Sequence, residues 1–308
     1  MLVMGVDENG MGPRLGPLVA TQLSLEIPRY ARAALCERGL RLGLTDSKKT
    51  GGFSKMAFAE SVAIGLVRAA TGESAPLTSD AFLERVAPGV RAELGGRCPD
   101  RSTSEQCWGV DLCLPAFGGD PAFGDELIRK LVGRSSLRIV NVQSQIACAG
   151  MLNAKLAAGK NKLDVDLELF EALIQSVHRR HGAPSLVVCG MIGGIRDYAS
   201  RFSRFSTDDV RPLAGRRGQR RYWIDSLGEV RFEVNADARH LPVALASIVG
   251  KYVRELSMRR IGEFYRRFDP DLRFASGYHD PVTTGFIQST ERSRRRLAVA
   301  TDCFQRRA

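Results

Sequence analysis

The chain has 308 residues, of which 44% are hydrophobic and 26% are charged, a composition that is typical of a globular protein and not of a disordered chain. No apolar run approaches the ~18 residues of a membrane helix, so we expect no segment to span a membrane. The 45 lysines and arginines exceed the 34 acidic residues, and the net charge of +11 favours a polyanionic partner such as nucleic acid. A basic, solvated surface without such a partner is the alternative.

The cysteines and the first residues of the chain bear on its location. Seven cysteines are scattered along the sequence without the pairing pattern of a disulfide framework, and this usage suits a reducing compartment. The segment before Asp7 and Glu8 lacks the basic start of a signal peptide. We therefore expect a cytoplasmic protein.

The first half of the chain contains one predicted strand and one predicted helix. The strand runs from Leu2 to Val6, and the glycines and proline at positions 10–13 predict a tight loop after it. Apolar residues recur with helical spacing over 54–71. Glycines and prolines interrupt any such period in residues 73–135, so we interpret this stretch as an insertion or a lid.

The second half alternates strands and helices. The predicted elements are strand 137–142, helix 164–182, strand 186–189, strands 222–224 and 230–234 joined by a turn, and a long helix starting near Pro242. Interleaved strands and helices predict an α/β fold in which helices cover the sheet. Residues 291–308 form a basic C-terminal tail.

Acidic residues occur where predicted strands end. Asp7 and Glu8 follow the first strand, and Asp237 lies between a strand and the long helix. Neighbouring strand residues point to opposite faces, so Asp7 and Glu8 share a metal ion only where the strand is broken. Gly10 and Gly12 permit such a break and a close approach of the backbone to a phosphate. Oxygen ligands suit Mg²⁺, and paired carboxylates can hold two such ions beside a scissile phosphate; solvated loop residues are the alternative.

Four motifs follow one another along the chain. They are Gly5-Val6-Asp7-Glu8-Asn9-Gly10-Met11-Gly12-Pro13, Leu44-Thr45-Asp46-Ser47-Lys48-Lys49, Ala236-Asp237-Ala238 with Val243–Lys251, and Ser276-Gly277-Tyr278. Together they resemble the type 2 ribonucleases H, the ribonuclease HII/HIII family. The resemblance implies one ribonuclease H-like domain over 1–308, with a mixed sheet flanked by helices. It also implies an endonuclease that uses Mg²⁺ or Mn²⁺ to cleave RNA in RNA–DNA hybrids or ribonucleotides embedded in DNA.

The resemblance assigns roles to nine residues. The catalytic residues and metal ligands would be Asp7, Glu8 and Asp237, and the substrate-binding residues would be Gly10, Met11, Gly12, Lys48, Lys49 and Tyr278. The glycine loop and Tyr278 would contact the ribose 2′-hydroxyl, which distinguishes RNA from DNA. The two lysines would contact phosphates. A buried core aromatic is the alternative for Tyr278.

Two positions depart from the family pattern. The family has an aspartate at the end of strand 186–189, and this position is Gly190 here, or Cys189 if the alignment is shifted by one residue. A thiolate is a poor replacement because it prefers softer metals than Mg²⁺. Asp197 is a candidate substitute ligand, and a surface ion pair is its alternative role. Met11 also replaces the arginine of the family's glycine loop.

The missing carboxylate leaves two functions open. One is a hydrolase whose activity is weakened, and the other is a hybrid-binding adaptor or sensor of the same fold without catalysis. The arginines and aromatics of segment 216–223 fit either function as a nucleic-acid surface, although a solubilising charged edge has the same composition. The sequence assigns no protein partner.

Overall fold

The computed structural model describes residues 1–44, 56–95, 105–133, 136–182, 186–225 and 227–307. The strands of this part of the chain are β1 Leu2–Asn9, β2 Leu18–Glu26, β3 Arg138–Ala147, β4 Leu186–Gly190, β5 Val210–Leu213, β6 Gln219–Ile224 and β7 Gly228–Glu233. They form one mixed sheet in the order β3-β2-β1-β4-β7-β6-β5. Strands β1, β4 and β7 are parallel, and the remaining pairs are antiparallel. The predicted α/β mixed sheet is confirmed.

Helices cover both faces of the sheet. In the described residues they are α1 Arg32–Arg41, α2 Met56–Thr71, α3 Ser79–Val86, α4 Val90–Gly95, α5 Pro121–Val132, α6 Ala149–Ala157, α7 Lys162–His181, α8 Ala236–Arg239, α9 Leu241–Arg266, α10 Pro281–Ser289, α11 Glu291–Arg296 and α12 Thr301–Phe304. Helices α2 and α9 enclose one core with Val3 and Val188, whereas α7 encloses the other with Val6 and Cys189. None of the described helices is both long and apolar enough to cross a membrane.

The start of α9 lies directly against β1. Pro242 fits the first turn, where its missing N–H needs no partner, and α9 packs along β1 and β2. Gly5 makes this approach possible, because a Cβ at that position would lie 2.3 Å from the carbonyl carbon of Pro242. The close contact brings the turn that precedes α9 to the same end of the sheet as the last residues of β1.

The remaining segments surround this core. Helices α3, α4 and α5 belong to residues 73–135; α5 packs on α2, and α3 packs on α2 and β3. The basic C-terminal segment folds back, because Phe304 and Arg306 are buried and Gln305 forms a β-bridge with Leu15. This segment therefore carries both surface charge and core contacts.

Candidate active site

A cleft of about 740 Å³ opens at the carboxyl ends of β1, β4 and β7. Asp7, Glu8 and Asp237 all line it, together with the glycine loop from Gly10 to Gly12 and with Tyr278. The carboxyl ends of parallel strands are the usual place for a ligand site in an open α/β sheet. The cleft thus gathers the three carboxylates and four of the six substrate residues that the family resemblance assigns.

The two neighbouring acids converge although they lie on an unbroken strand. Strand β1 is longer than predicted, because Asp7 and Glu8 continue its pairing with β2 as far as Asn9. A Cβ at Gly190 would lie 2.4 Å from Asp7 Oδ1 and 3.9 Å from Glu8 Oε2. Both carboxylates therefore lie around the position that lacks a side chain.

The register of β4 shows which of the two candidate positions, Cys189 or Gly190, lies next to Asp7. Val6 lies opposite Cys189 in the parallel pairing, so Asp7 is next to Gly190. Cys189 is buried in the core under α7. Burial, together with the nearby charge of Asp7, raises the pKa of its thiol well above the usual range. A side chain at position 190, and not at 189, would enter the cleft.

A hydrogen-bonded network supports the turn that carries Asp237. Glu233, at the end of β7, is bonded to His240 Nε2 at 3.2 Å and accepts a hydrogen bond from Gln219 at 2.6 Å. The Tyr30 hydroxyl lies 2.7 Å from the other ring nitrogen of His240. His240, with a smaller contribution from Gln219, lowers the pKa of Glu233 to about 2. Glu233 is therefore a fixed negative charge on the cleft wall, and the sequence motifs gave no signal for it.

The glycine loop and the Gly277 turn are joined through their backbones. The amides of Arg14 and Leu15 both donate to the Gly277 carbonyl, at 2.7 and 3.1 Å. Gly10 and Gly277 have φ values of 91° and 84°, in the region that favours glycine. This junction places the loop beside the residue that follows Gly277, which is the predicted ribose-binding tyrosine.

Tyr278 is an exposed side chain that rests on a buried cation. Its side chain is 46% exposed, so the alternative of a core aromatic is wrong. The Arg254 guanidinium lies 4.6 Å from the ring centroid and donates to the Ser276 carbonyl at 2.7 Å. Arg254 itself is only 1% exposed. One face of the ring is therefore supported by Arg254, and the residue lines the cleft.

A second buried arginine, Arg306, binds the backbone carbonyls of the glycine loop. Its guanidinium donates to the carbonyls of Gly10 at 2.5 Å, Gly16 at 2.7 Å and Pro13 at 3.5 Å. Burial and the neighbouring Arg254 lower its pKa to about 9. The sequence pattern predicts only a basic tail here, because the contact joins the two ends of the chain and has no local signal.

One buried acid near the cleft was also missed. Asp166 on α7 is fully buried, and neither of its carboxylate oxygens has a hydrogen-bond donor among the described residues. Burial and the negative charges of Glu8 and Asp7 raise its pKa well above the usual range. The helical spacing of Asp166 to the buried Phe170, Leu173 and Val177 was a usable signal, since it places this acid on the apolar face.

Other predicted positions lie elsewhere. Asp197 does not line the cleft; its carboxylate accepts hydrogen bonds from the amides of Ala199 and Ser200 and from the Tyr222 hydroxyl. Lys48 and Lys49 fall outside the described residues. The described parts of 73–135 do not line the cleft, and their role as a lid stays a prediction.

The acidic residues of the cleft suit a hard divalent cation in kind and in charge. In the described ranges, no group of three or more His, Cys, Asp or Glu side chains is arranged so that it could hold a metal ion. Carboxylates repel one another, and a cation between them removes that repulsion. Two features fit a cation. The carboxylates of Asp7 and Glu8 converge near Gly190, and the two carboxylate oxygens of the nearby Asp166 have no hydrogen-bond donor among the described residues.

The mixed sheet and the acidic cleft at its parallel strand ends define a ribonuclease H-like α/β protein. A family model described as Ribonuclease HII matches residues 125–303, more than half of the sequence, and the chain therefore belongs to the ribonuclease HII family. The matched range includes Gly190, Asp237 and Tyr278.

Two solved structures illustrate the similarity. The structure of the PCNA:RNase HII complex from Archaeoglobus fulgidus matches with 19% identity and a TM-score of 0.49, over 100% of this chain and 95% of that one. Ribonuclease H2 from Pyrococcus horikoshii OT3 matches with 16% identity and a TM-score of 0.50, over 99% and 92%. The second match supports the shared fold. Curated protein sequences contain no significant match to this chain.

Proposed function

We propose that this protein is a ribonuclease H-type endonuclease that binds an RNA–DNA hybrid, or a duplex with an embedded ribonucleotide, and hydrolyses the RNA strand. The observation that carries the proposal is that Asp7, Glu8 and Asp237 line one cleft although 230 positions separate the first from the last. Membership of the ribonuclease HII family supports the same reaction class.

The three carboxylates would hold Mg²⁺ or Mn²⁺, since oxygen ligands are the ones that hard cations prefer. A bound metal would activate a water molecule and stabilise the leaving oxygen. Gly190 contributes no carboxylate, so we expect the site to bind a second ion weakly. Mg²⁺ needs near-ideal octahedral geometry, and for this reason we expect faster cleavage with Mn²⁺.

The substrate would be bound and oriented by residues of the chain around the metal ligands. Nothing lies within 4 Å of the position that a Cβ on Gly12 would take, so a phosphate or ribose can approach the backbone closely there. Tyr278, supported by Arg254, would contact the ribose carrying the 2′-hydroxyl. Lys251 lines the same cleft and would contact a phosphate.

One observation favours a second function. The resemblance implies an aspartate where this chain has Gly190, and a protein that kept the cleft but lost catalysis would act as a hybrid-binding adaptor or sensor. The net charge of +11 on this chain would favour binding of a hybrid duplex whether or not the duplex is cleaved. Cleavage and binding therefore have to be measured separately.

The test uses a duplex with a single ribonucleotide and three proteins: wild type, Asp7→Asn, and Asp208→Asn as a control in an exposed acid outside the cleft. We expect wild type and Asp208→Asn to cleave in Mn²⁺ and more slowly in Mg²⁺. Asp7→Asn should bind the duplex in EDTA and should not cleave it in either metal. Binding without cleavage by wild type in both metals would establish the adaptor, and no preference for the ribonucleotide duplex over DNA would contradict both functions.

A further inference from the structure

Three carboxylates are completely buried in the described part of the chain, and two of them have full sets of partners. Glu60 accepts hydrogen bonds from three backbone amides and the Tyr252 hydroxyl. Glu171, on α7, accepts from the Ser203 amide and hydroxyl and from the Arg204 amide. Each of these acids therefore fixes a neighbouring loop.

Asp166 differs from both, because no donor among the described residues reaches either of its oxygens. It lies on the same helix as Glu171, little more than one turn away. A buried polar group without a hydrogen bond destabilises the fold, and a buried carboxylate does so more strongly unless a cation or a proton compensates it. Fixing a loop, the role of the other two acids, does not account for Asp166.

Asp166 does not line the cleft, but it lies next to the core residues that precede the cleft residues of β1 and β4. Its neighbours in sequence, Val165 and Leu167, lie in the same core cluster as Val6 and Cys189, which immediately precede Asp7 and Gly190. The charges of Glu8 and Asp7 act on Asp166, and those of Asp7 and Asp166 both act on Cys189. Asp166 therefore approaches the ends of β1 and β4 from the α7 side.

The absence of a side chain at Gly190 leaves room for the carboxylate of Asp7. The Asp7 carboxylate already occupies the region where a Cβ at position 190 would lie, at 2.4 Å, and Glu8 lies beside it. We propose that Asp166 supplies the carboxylate that Gly190 lacks and binds the divalent cation together with Asp7 and Glu8. The ligand set would then be rebuilt from helix α7 instead of strand β4. This inference rests on the proposed function, since it requires the cleft to bind a cation.

The test measures Mn²⁺ binding by the full-length protein, by calorimetry and by electron paramagnetic resonance, without substrate. Asp166→Asn keeps the shape and removes the charge, and Glu171→Gln is the matched control in a buried, fully bonded acid on the same helix. We expect Asp166→Asn to weaken Mn²⁺ affinity by at least about 10- to 100-fold, the range for loss of a residue that only supports a metal ligand. Glu171→Gln should lower thermal stability and leave the affinity of the folded protein unchanged.

A second variant separates ligation from a structural role. Asp166→Leu replaces the unpaired acid by an apolar group, so in EDTA it should unfold at the same or a higher temperature than wild type. At the same Mn²⁺ concentration, Mn²⁺ should raise the melting temperature of wild type more than that of Asp166→Leu, because the stability gained from a bound ion falls as its affinity falls. A purely structural Asp166 would give the reverse: a less stable variant that responds to Mn²⁺ as strongly as wild type does.

The outcomes separate the two proposals. If Asp7→Asn loses Mn²⁺ binding while Asp166→Asn binds as wild type does, the Asp166 inference is wrong and the proposed function stands. If wild type binds no Mn²⁺, both are wrong.

Discussion

The glycine at position 190 allows steric and charge effects on the cleft to be separated. An alanine there would place its Cβ 2.4 Å from Asp7 Oδ1, and an ordinary contact begins near 3.4 Å, so the carboxylate has to move by about 1 Å. The Asp7 side chain can rotate, at a cost of about 0.5–1.5 kcal/mol if it leaves its rotamer. A catalytic group misplaced by about 1 Å can cost 100-fold in rate. We therefore expect Gly190→Ala to cleave a single-ribonucleotide duplex about 10- to 100-fold more slowly than wild type.

Gly190→Asp imposes the same displacement and adds a carboxylate. Two carboxylates ~4 Å apart repel by about 4 kcal/mol at an effective dielectric constant near 20, so in EDTA this variant should melt below Gly190→Ala. A divalent cation removes the repulsion, and Mg²⁺ should reverse that order. The restored carboxylate should also raise the cleavage rate above that of Gly190→Ala, most clearly in Mg²⁺.

Differential scanning fluorimetry in EDTA, Mg²⁺ and Mn²⁺, combined with single-turnover cleavage, measures both effects on the same three proteins. Identical melting and cleavage of the alanine and aspartate variants would refute the reasoning, since the added charge would then be remote from the site. An alanine variant that equals wild type in every assay would show that residue 190 does not face Asp7.

Three further predictions concern the support of the cleft and its charge. Arg306→Met should lower the free energy of unfolding in urea by about 1–3 kcal/mol for each loop carbonyl left without a donor, and an equal loss in the exposed control Arg307→Met would contradict this. Exchange of Arg216 and Arg217 for glutamine should flatten the salt dependence of duplex binding by about 1–2 units of log–log slope; an unchanged slope would exclude these exposed residues from the interface. The stability due to the lowered pKa of Glu233 is present above its ordinary pKa of 4.5 and is lost as the pH falls towards 2. Wild type should therefore lose more unfolding free energy than Glu233→Gln between pH 5 and pH 2, and parallel losses would contradict the role of its histidine partner.

The parts of the fold that sequence patterns predicted are those with apolar signals. The continuous apolar run of β4 and the amphipathic α9 were both predicted near their observed bounds. Strand β2, Leu18–Glu26, was not predicted, because Thr21, Gln22 and Ser24 interrupt its apolar pattern although all three are buried. Thr21 bonds to Ser144 on β3 at 2.8 Å, and Ser24 bonds to Gln22 at 2.9 Å. These contacts form only in the folded sheet, and the sequence of β2 gives no sign of them.

The site was predicted as far as its motifs extend. Asp7, Glu8 and Asp237 stand in short family motifs, and all three line the cleft. Asp166 was missed because its significance depends on what lies across the core from α7, and its neighbours in sequence do not reveal this. Arg306 was missed for the same reason, since the carbonyls that it binds lie 290 or more positions away.

The most direct test of the acidic cleft is anomalous diffraction from crystals of the protein with an uncleaved hybrid duplex and Mn²⁺. We expect at least one manganese peak in the cleft, in contact with the carboxylates of Asp7 and Glu8 and with the scissile phosphate. A duplex bound in the cleft with no manganese peak beside Asp7, or with manganese bound only elsewhere, would contradict it.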